Sequence, residues 1–213
     1  MNGIASLDTV PASACDTSGI KGGDIIAFGG TGSVSDAIEW LTRSKLSHVA
    51  MVIDQRLAVD GWPQTELQIV ESTILNGRNG VQINPLKARL AGCDPGERVW
   101  VLSLSDAIRG FLDWDRLWAF AMVRVNRDRY NVLELGAYIA RMIPLVQDLP
   151  VWYRPNSHEE VCSELVAELL AAGGLPALRP YETPPQGIAE LKIYADCRQL
   201  MGKPAAIRKF NSQ

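Results

Sequence analysis

Short apolar segments separated by glycine-rich turns fill the first half of the chain, and this order limits its possible folds more than any other feature. Five segments have the length and composition of β-strands: residues 24–28, 47–53, 67–72, 81–83 and 98–104. Asn76-Gly77 and Asn79-Gly80 indicate a tight reversal before the fourth segment. Helical spacing follows mainly in the second half. Strands followed by helices predict an α+β domain built on an antiparallel sheet.

Four segments have the spacing of amphipathic helices: residues 33–42, 113–126, 132–142 and 159–172. Gly173-Gly174 closes the last of them as a C-cap. Ser157 and Glu160 satisfy the S-x-x-E capping box, which predicts that this helix begins within a residue or two of Ser157.

The composition is that of an ordinary globular protein. The 213 residues fit one domain spanning residues 1–213, with a loose lead-in over residues 1–20 and a helical insert over residues 106–150. A net charge of -3 and scattered basic side chains argue against a nucleic-acid partner. No apolar segment is long enough for a membrane span, and no signal-peptide core is evident. We therefore expect a cytoplasmic protein without an integral membrane segment.

The cysteines do not form a recognisable framework. Cys15, Cys93, Cys162 and Cys197 include no C-x-x-C pair, which predicts separate, reduced thiols. His48, His158 and Cys162 together could offer three zinc ligands, but no second cysteine or carboxylate has clear ligand spacing. We therefore expect neither a metal nor another cofactor.

Cys162 has the sequence context of a reactive thiol. Near a helix N-terminus, unpaired backbone N–H groups and the helix dipole stabilise a thiolate. Glu159, Glu160 and Glu164 add negative charge nearby, so a low thiol pKa also requires a cationic partner. A buried, chemically inert cysteine on the inner face of the helix is the competing interpretation.

The two histidines are the candidate bases. His48 lies in a predicted strand, where it shares a face with Ala50 and Val52 and points into the core or into a cleft. It is therefore either a hydrogen-bonded core residue or a general base. His158 is close to Cys162 in sequence; its ring either faces solvent, contacts substrate or replaces His48 as the base. Glu71, on the strand expected beside His48, is either the group that orients the imidazole or a simple edge carboxylate.

Several segments, in order, resemble the circularly permuted branch of the NlpC-type papain-like cysteine hydrolases, often called YiiX-like. The resemblance covers residues 22–190. The matching motifs are Gly23-Asp24-Ile25-Ile26, Ser47-His48-Val49-Ala50-Met51-Val52, Ile69-Val70-Glu71-Ser72, Gly80-Val81, Pro85-Leu86, Arg129-Tyr130-Asn131, Cys162-Ser163-Glu164-Leu165-Val166 and Thr183-Pro184-Pro185. The histidine strand precedes the cysteine helix, which is the reverse of the usual papain-like order.

This resemblance implies a circularly permuted papain-like fold in which the nucleophile-bearing helix packs on an antiparallel sheet. It implies Cys162 as nucleophile, His48 as base and Glu71 as the third member of a cysteine amidase or peptidase site. Small peptides, including cell-wall peptides, are the implied substrates. A lipid-active acyltransferase or esterase and a non-catalytic ligand-binding module are the alternatives. The chain departs from the family at two places. Val161 stands where an aromatic residue often precedes the family's cysteine, and the helical insert over residues 106–150 is the second departure.

An oxyanion formed at this site would need two hydrogen-bond donors. The backbone N–H of Cys162 is the first candidate because it lies at a helix N-terminus. Ser47 and Asp24 are the candidates for the second donor.

Overall fold

The computed structural model describes residues 15–30, 45–53, 66–94, 96–130, 159–175, 183–205 and 207. Thirteen elements follow one another in these ranges: β1 Ile25–Gly29, β2 His48–Val52, β3 Gln68–Leu75, β4 Arg78–Pro85, α1 Leu86–Ala91, β5 Arg98–Leu104, α2 Asp106–Phe111, α3 Trp114–Arg124, β6 Arg129–Tyr130, β7 Glu159–Glu160, α4 Cys162–Ala172, α5 Pro185–Ala189 and β8 Tyr194–Met201.

One six-stranded antiparallel sheet forms the centre of the described structure. Its strand order is β4-β3-β2-β1-β5-β8. The predicted α+β class with an antiparallel sheet is therefore confirmed. No helix in the described part of the chain is long and apolar enough to cross a membrane.

Alternation along the strands gives the sheet two apolar faces. On one face, α4 buries Leu165 and Leu169 in the same cluster as Val49 and Met51 of β2. On the opposite face, Leu86 and Leu90 of α1 lie in a second cluster with Ala50, Val52 and Ile69. Burial of each such leucine contributes roughly 2 kcal/mol.

The β3–β4 hairpin confirms the predicted reversal. Asn76 and Gly77 both have positive φ, 52° and 74°, as a two-residue type I′ turn requires. The paired strands are longer than the apolar pattern predicts because pairing continues from Gln68↔Pro85 to Leu75↔Arg78.

The predicted start of the cysteine helix is wrong. α4 begins at Cys162, and its N-cap is the extended Val161, which makes no side-chain cap. Glu159 and Glu160 are extended because they pair with β6 in a small parallel sheet. A tertiary contact has therefore replaced the local capping signal, and Cys162 becomes the first helical residue. Ser157 lies outside the described residues.

The predicted insert is only partly covered. Its described portion consists of α2, α3 and β6, and α3 corresponds to the helix expected over residues 113–126. The helices expected over residues 33–42 and 132–142 lie outside the described residues, as does most of the lead-in.

Candidate active site

The central sheet opens between β2 and β3, and the site lies at this opening. These strands pair at only two positions, Met51 with Val70 and Val52 with Ile69. The Ile53 N–H donates to Gln68 on β3, so the N–H of Val49, four residues earlier on β2, faces the same edge. There it donates to the Cys162 side chain. Strand divergence thus leaves a backbone donor for the cysteine.

Cys162 combines burial with several groups that favour its thiolate. The residue is 4% exposed and begins α4. Burial alone would raise the pKa of its thiol. The charge and hydrogen bond of His48, with the backbone N–H groups of Val49 and Ser163, instead lower the pKa below its ordinary value. The cationic partner required by the sequence argument is therefore present.

The other thiols provide a contrast within the same chain. Burial and the nearby Glu97 raise the pKa of Cys93 to about 12. Burial also raises the pKa of Cys15. Cys162 is thus chemically distinct from both of these cysteines.

His48 links the thiol to a carboxylate. Its Nε2 lies 2.7 Å from Glu71 Oε2, which leaves Nδ1 for the hydrogen bond with Cys162. Burial lowers the pKa of the imidazole, but Cys162 and then Glu71 outweigh it and raise the pKa from 6.5 to about 9. Cys162 and Glu71 therefore both favour the imidazolium form of the ring.

Glu71 is a buried structural carboxylate at the end of this chain of hydrogen bonds. Its side chain is fully buried, and it lies within β3 rather than at the strand end expected from sequence. Oε1 accepts from Asn84 Nδ2 at 2.9 Å, and Oε2 also accepts from Arg89 Nε at 3.4 Å. Burial raises the pKa of Glu71, but His48, Arg89 and Asn84 together bring it below its ordinary value. The edge-carboxylate interpretation is therefore wrong.

Sequence reasoning missed Asn84 and Arg89. Glu71 is directly opposite Gln82 in the β3–β4 register, so Asn84, two residues further along, shares the same face. A correct hairpin register would have identified Asn84. Arg89 had no comparable signal, because its approach depends on how α1 packs beneath the sheet.

Neither suggested second oxyanion donor is directed toward Cys162. Ser47 Oγ accepts from the Gly30 N–H and donates to the Phe28 carbonyl. The Asp24 carboxylate accepts from the backbone N–H groups of Lys21 and Leu104 and from Arg109 Nη2. These bonds hold strand ends together.

The zinc alternative has no support from the described ranges. Within them, no group of three or more His, Cys, Asp or Glu side chains could hold a metal ion. His158, which the zinc alternative also requires, lies outside those ranges.

We expect chelation to have no effect on the site. Overnight treatment with a chelator should change neither the thermal unfolding midpoint nor the rate of Cys162 alkylation, because His48 Nε2 is hydrogen-bonded to Glu71 and not to a metal ion. Elemental analysis of the untreated protein is the parallel measurement. Stoichiometric zinc that disappears in His158→Ala would contradict this expectation.

Similarity to known proteins is found among solved structures. No protein-family model matches the chain, and no curated protein matches it. A solved structure of the metalloprotein YiiX from Escherichia coli O157:H7 is similar at 20% sequence identity and a TM-score of 0.46. The match covers 72% of this chain and 66% of that one, so the chain spans slightly less than two thirds of the YiiX structure. We therefore infer the chemistry of the site from the geometry of this chain and not from this similarity.

Proposed function

We propose that this protein is a cysteine-dependent amidase or peptidase that acts through Cys162, His48 and Glu71. The observation that supports the proposal is the continuous hydrogen-bonded chain from sulfur through imidazole to buried carboxylate. The shifts agree with it, because the pKa of Cys162 is lowered while that of His48 is raised to about 9. A thiolate–imidazolium pair is the reactive form of such a site.

The reaction begins with the thiolate. The Cys162 sulfur attacks the carbonyl carbon of a small peptide or acyl substrate, a C–S bond forms, and negative charge moves to the carbonyl oxygen. The backbone N–H of Cys162, in the first turn of α4, is our candidate donor to that oxyanion.

Collapse of the intermediate uses the proton on His48. Nδ1 donates it to the departing nitrogen, the C–N bond breaks, and the amine leaves a thioester on Cys162. His48 then takes a proton from water as its oxygen attacks the thioester carbon. The C–S bond breaks, a carboxylic acid is released, and the thiolate–imidazolium pair returns.

A permuted papain-like arrangement is part of this proposal. α4 packs against both β2 and β3 and presents its N-terminus at their divergence. The histidine strand comes before the cysteine helix in the chain. This is the order expected when the helix that usually precedes the sheet is encoded after it.

Covalent trapping tests the proposal. An activated phenyl ester and a short acyl peptide are each mixed with the protein, and the products are followed by intact mass. We expect one acyl adduct that is lost with hydroxylamine, absent in Cys162→Ala and retained in Cys93→Ala. Equal adduct in Cys162→Ala would exclude Cys162 as nucleophile. An adduct on Cys162 that water never releases would exclude a hydrolase.

A further inference from the structure

We propose that Arg89 is a positioning residue that acts through Glu71 and sets how much of the carboxylate's negative charge His48 receives. This inference rests on the proposed function, because it describes how the thiolate–imidazolium pair is tuned.

The geometric basis is one oxygen atom shared by two cations. Glu71 Oε2 lies 2.7 Å from His48 Nε2 and 3.4 Å from Arg89 Nε. Oε1 is taken by Asn84. Arg89 therefore competes with His48 for the same lone pairs while also keeping the fully buried carboxylate ionised.

Arg89 is held in place by more than this ion pair. Its guanidinium carbon lies 4.3 Å from the centre of the Phe28 ring, and the Phe28 and His48 ring centres are 5.4 Å apart. Nη1 also donates to the Cys93 sulfur at 3.6 Å. With its side chain only 11% exposed, Arg89 is a fixed charge with little solvent screening.

The charged and titratable groups around Glu71 are few among the described residues. β2 contributes His48, and α1 contributes Arg89. Asn84 of β4 is neutral, and Cys162 of α4 interacts with His48. Cys93, which contacts Arg89 from beyond α1, remains a neutral thiol because its pKa is raised to about 12.

Loss of the guanidinium therefore has a definite sign. In Arg89→Met, Glu71 Oε2 no longer shares its lone pairs with a guanidinium, so the full charge of the carboxylate acts on His48. The His48 titration should move to higher pH by about one unit. The upper pH limit of Cys162 reactivity should follow it, while Arg89→Lys should return both toward wild type.

NMR titration of the imidazole tests the proposal directly, because the chain has only two histidines and His158→Gln assigns them. Arg98→Met is the matched control: Arg98 lies 5.9 Å from the Trp100 ring centre, so this variant removes the same charge from another cation–π pair. We expect the His48 midpoint to rise in Arg89→Met and to stay unchanged in Arg98→Met. An unchanged midpoint in Arg89→Met would overturn the proposal.

A double-mutant cycle distinguishes action through Glu71 from direct action on His48. In the Glu71→Gln background, Arg89→Met should leave the His48 midpoint where Glu71→Gln alone puts it; an equal shift in both backgrounds would overturn the proposal. If Arg89→Met does not fold, rescue of folding by Glu71→Gln supports coupling, and failure of both variants contradicts it. If the His48 titration depends on Arg89 but the protein has no hydrolase activity, the proposed function is wrong and the inference about Arg89 stands.

Discussion

His48→Ala is expected to slow alkylation of Cys162 by iodoacetamide at pH 6 about 100-fold. In the wild-type protein His48 supplies the main opposition to burial, and it lowers the pKa of Cys162 through both its charge and its hydrogen bond. Without the imidazolium, the thiol of the buried Cys162 retains only backbone donors. Peptide mapping by mass spectrometry measures the rate for each cysteine.

The other cysteines are internal controls for this experiment. Cys93, with its pKa raised to about 12, and Cys15, with its pKa raised by burial, should label slowly in both proteins. His48→Gln retains a polar side chain without a cationic form in this pH range, so it should behave like His48→Ala. Equally slow labelling of all four wild-type cysteines would contradict the catalytic assignment.

Glu71→Ala is expected to reduce the free energy of unfolding by about 3 to 5 kcal/mol, the usual cost of breaking a buried ion pair. The variant leaves His48 and Arg89, only 15% and 11% exposed, without their shared carboxylate. Urea unfolding measures the loss. Glu71→Gln keeps the shape and one acceptor, so its loss should be smaller, although turnover should fall because the imidazolium is less stabilised.

The pH dependence of this stability difference follows from the signs of the two shifts. The pKa of Glu71 is lowered in the folded state, so its contribution is present above the ordinary value of 4.5 and is lost as pH falls through the folded pKa. His48 is raised from 6.5 to about 9, so its contribution is present below 6.5 and is lost as pH rises through about 9. The difference in the free energy of unfolding between wild type and Glu71→Gln should therefore be largest between pH 4.5 and pH 6.5. A difference that is constant from pH 3 to pH 10 would contradict the ion-pair account.

The sheet could be predicted because its signals are local. Alternating apolar residues identify β2 and β3, and Asn76-Gly77 has the positive φ values that a two-residue hairpin needs. The extension of β3 beyond Ser72 could not be predicted in the same way. Its last three residues are not fully buried, and their pairing with β4 rather than their own pattern keeps them extended.

The start of the cysteine helix shows where local reasoning fails. Ser157 and Glu160 have capping-box spacing, yet the backbone of Glu160 pairs with β6, which is distant in sequence. Pairing across such a separation is invisible to a local rule. Its consequence favours the proposed chemistry, because the first helical residue becomes Cys162 itself.

The three predicted site residues meet in space, but their supporting contacts come from tertiary structure. The resemblance to permuted cysteine hydrolases nominated Cys162, His48 and Glu71, and the structure joins them in one chain of hydrogen bonds. The divergence of β2 from β3, which makes the Val49 N–H available to Cys162, cannot be recognised from the sequence. The packing of α1, which brings Arg89 to Glu71, cannot be recognised from it either.

The pairing of Cys162 with His48 can be measured by titration of the Cys162 thiolate, followed by its ultraviolet absorbance as the difference between wild type and Cys162→Ala. We expect a midpoint well below the value of about 8.5 for a free cysteine, and a shift above that value in His48→Ala. A wild-type midpoint at or above about 8.5 would contradict the claim that Cys162 and His48 form a thiolate–imidazolium pair.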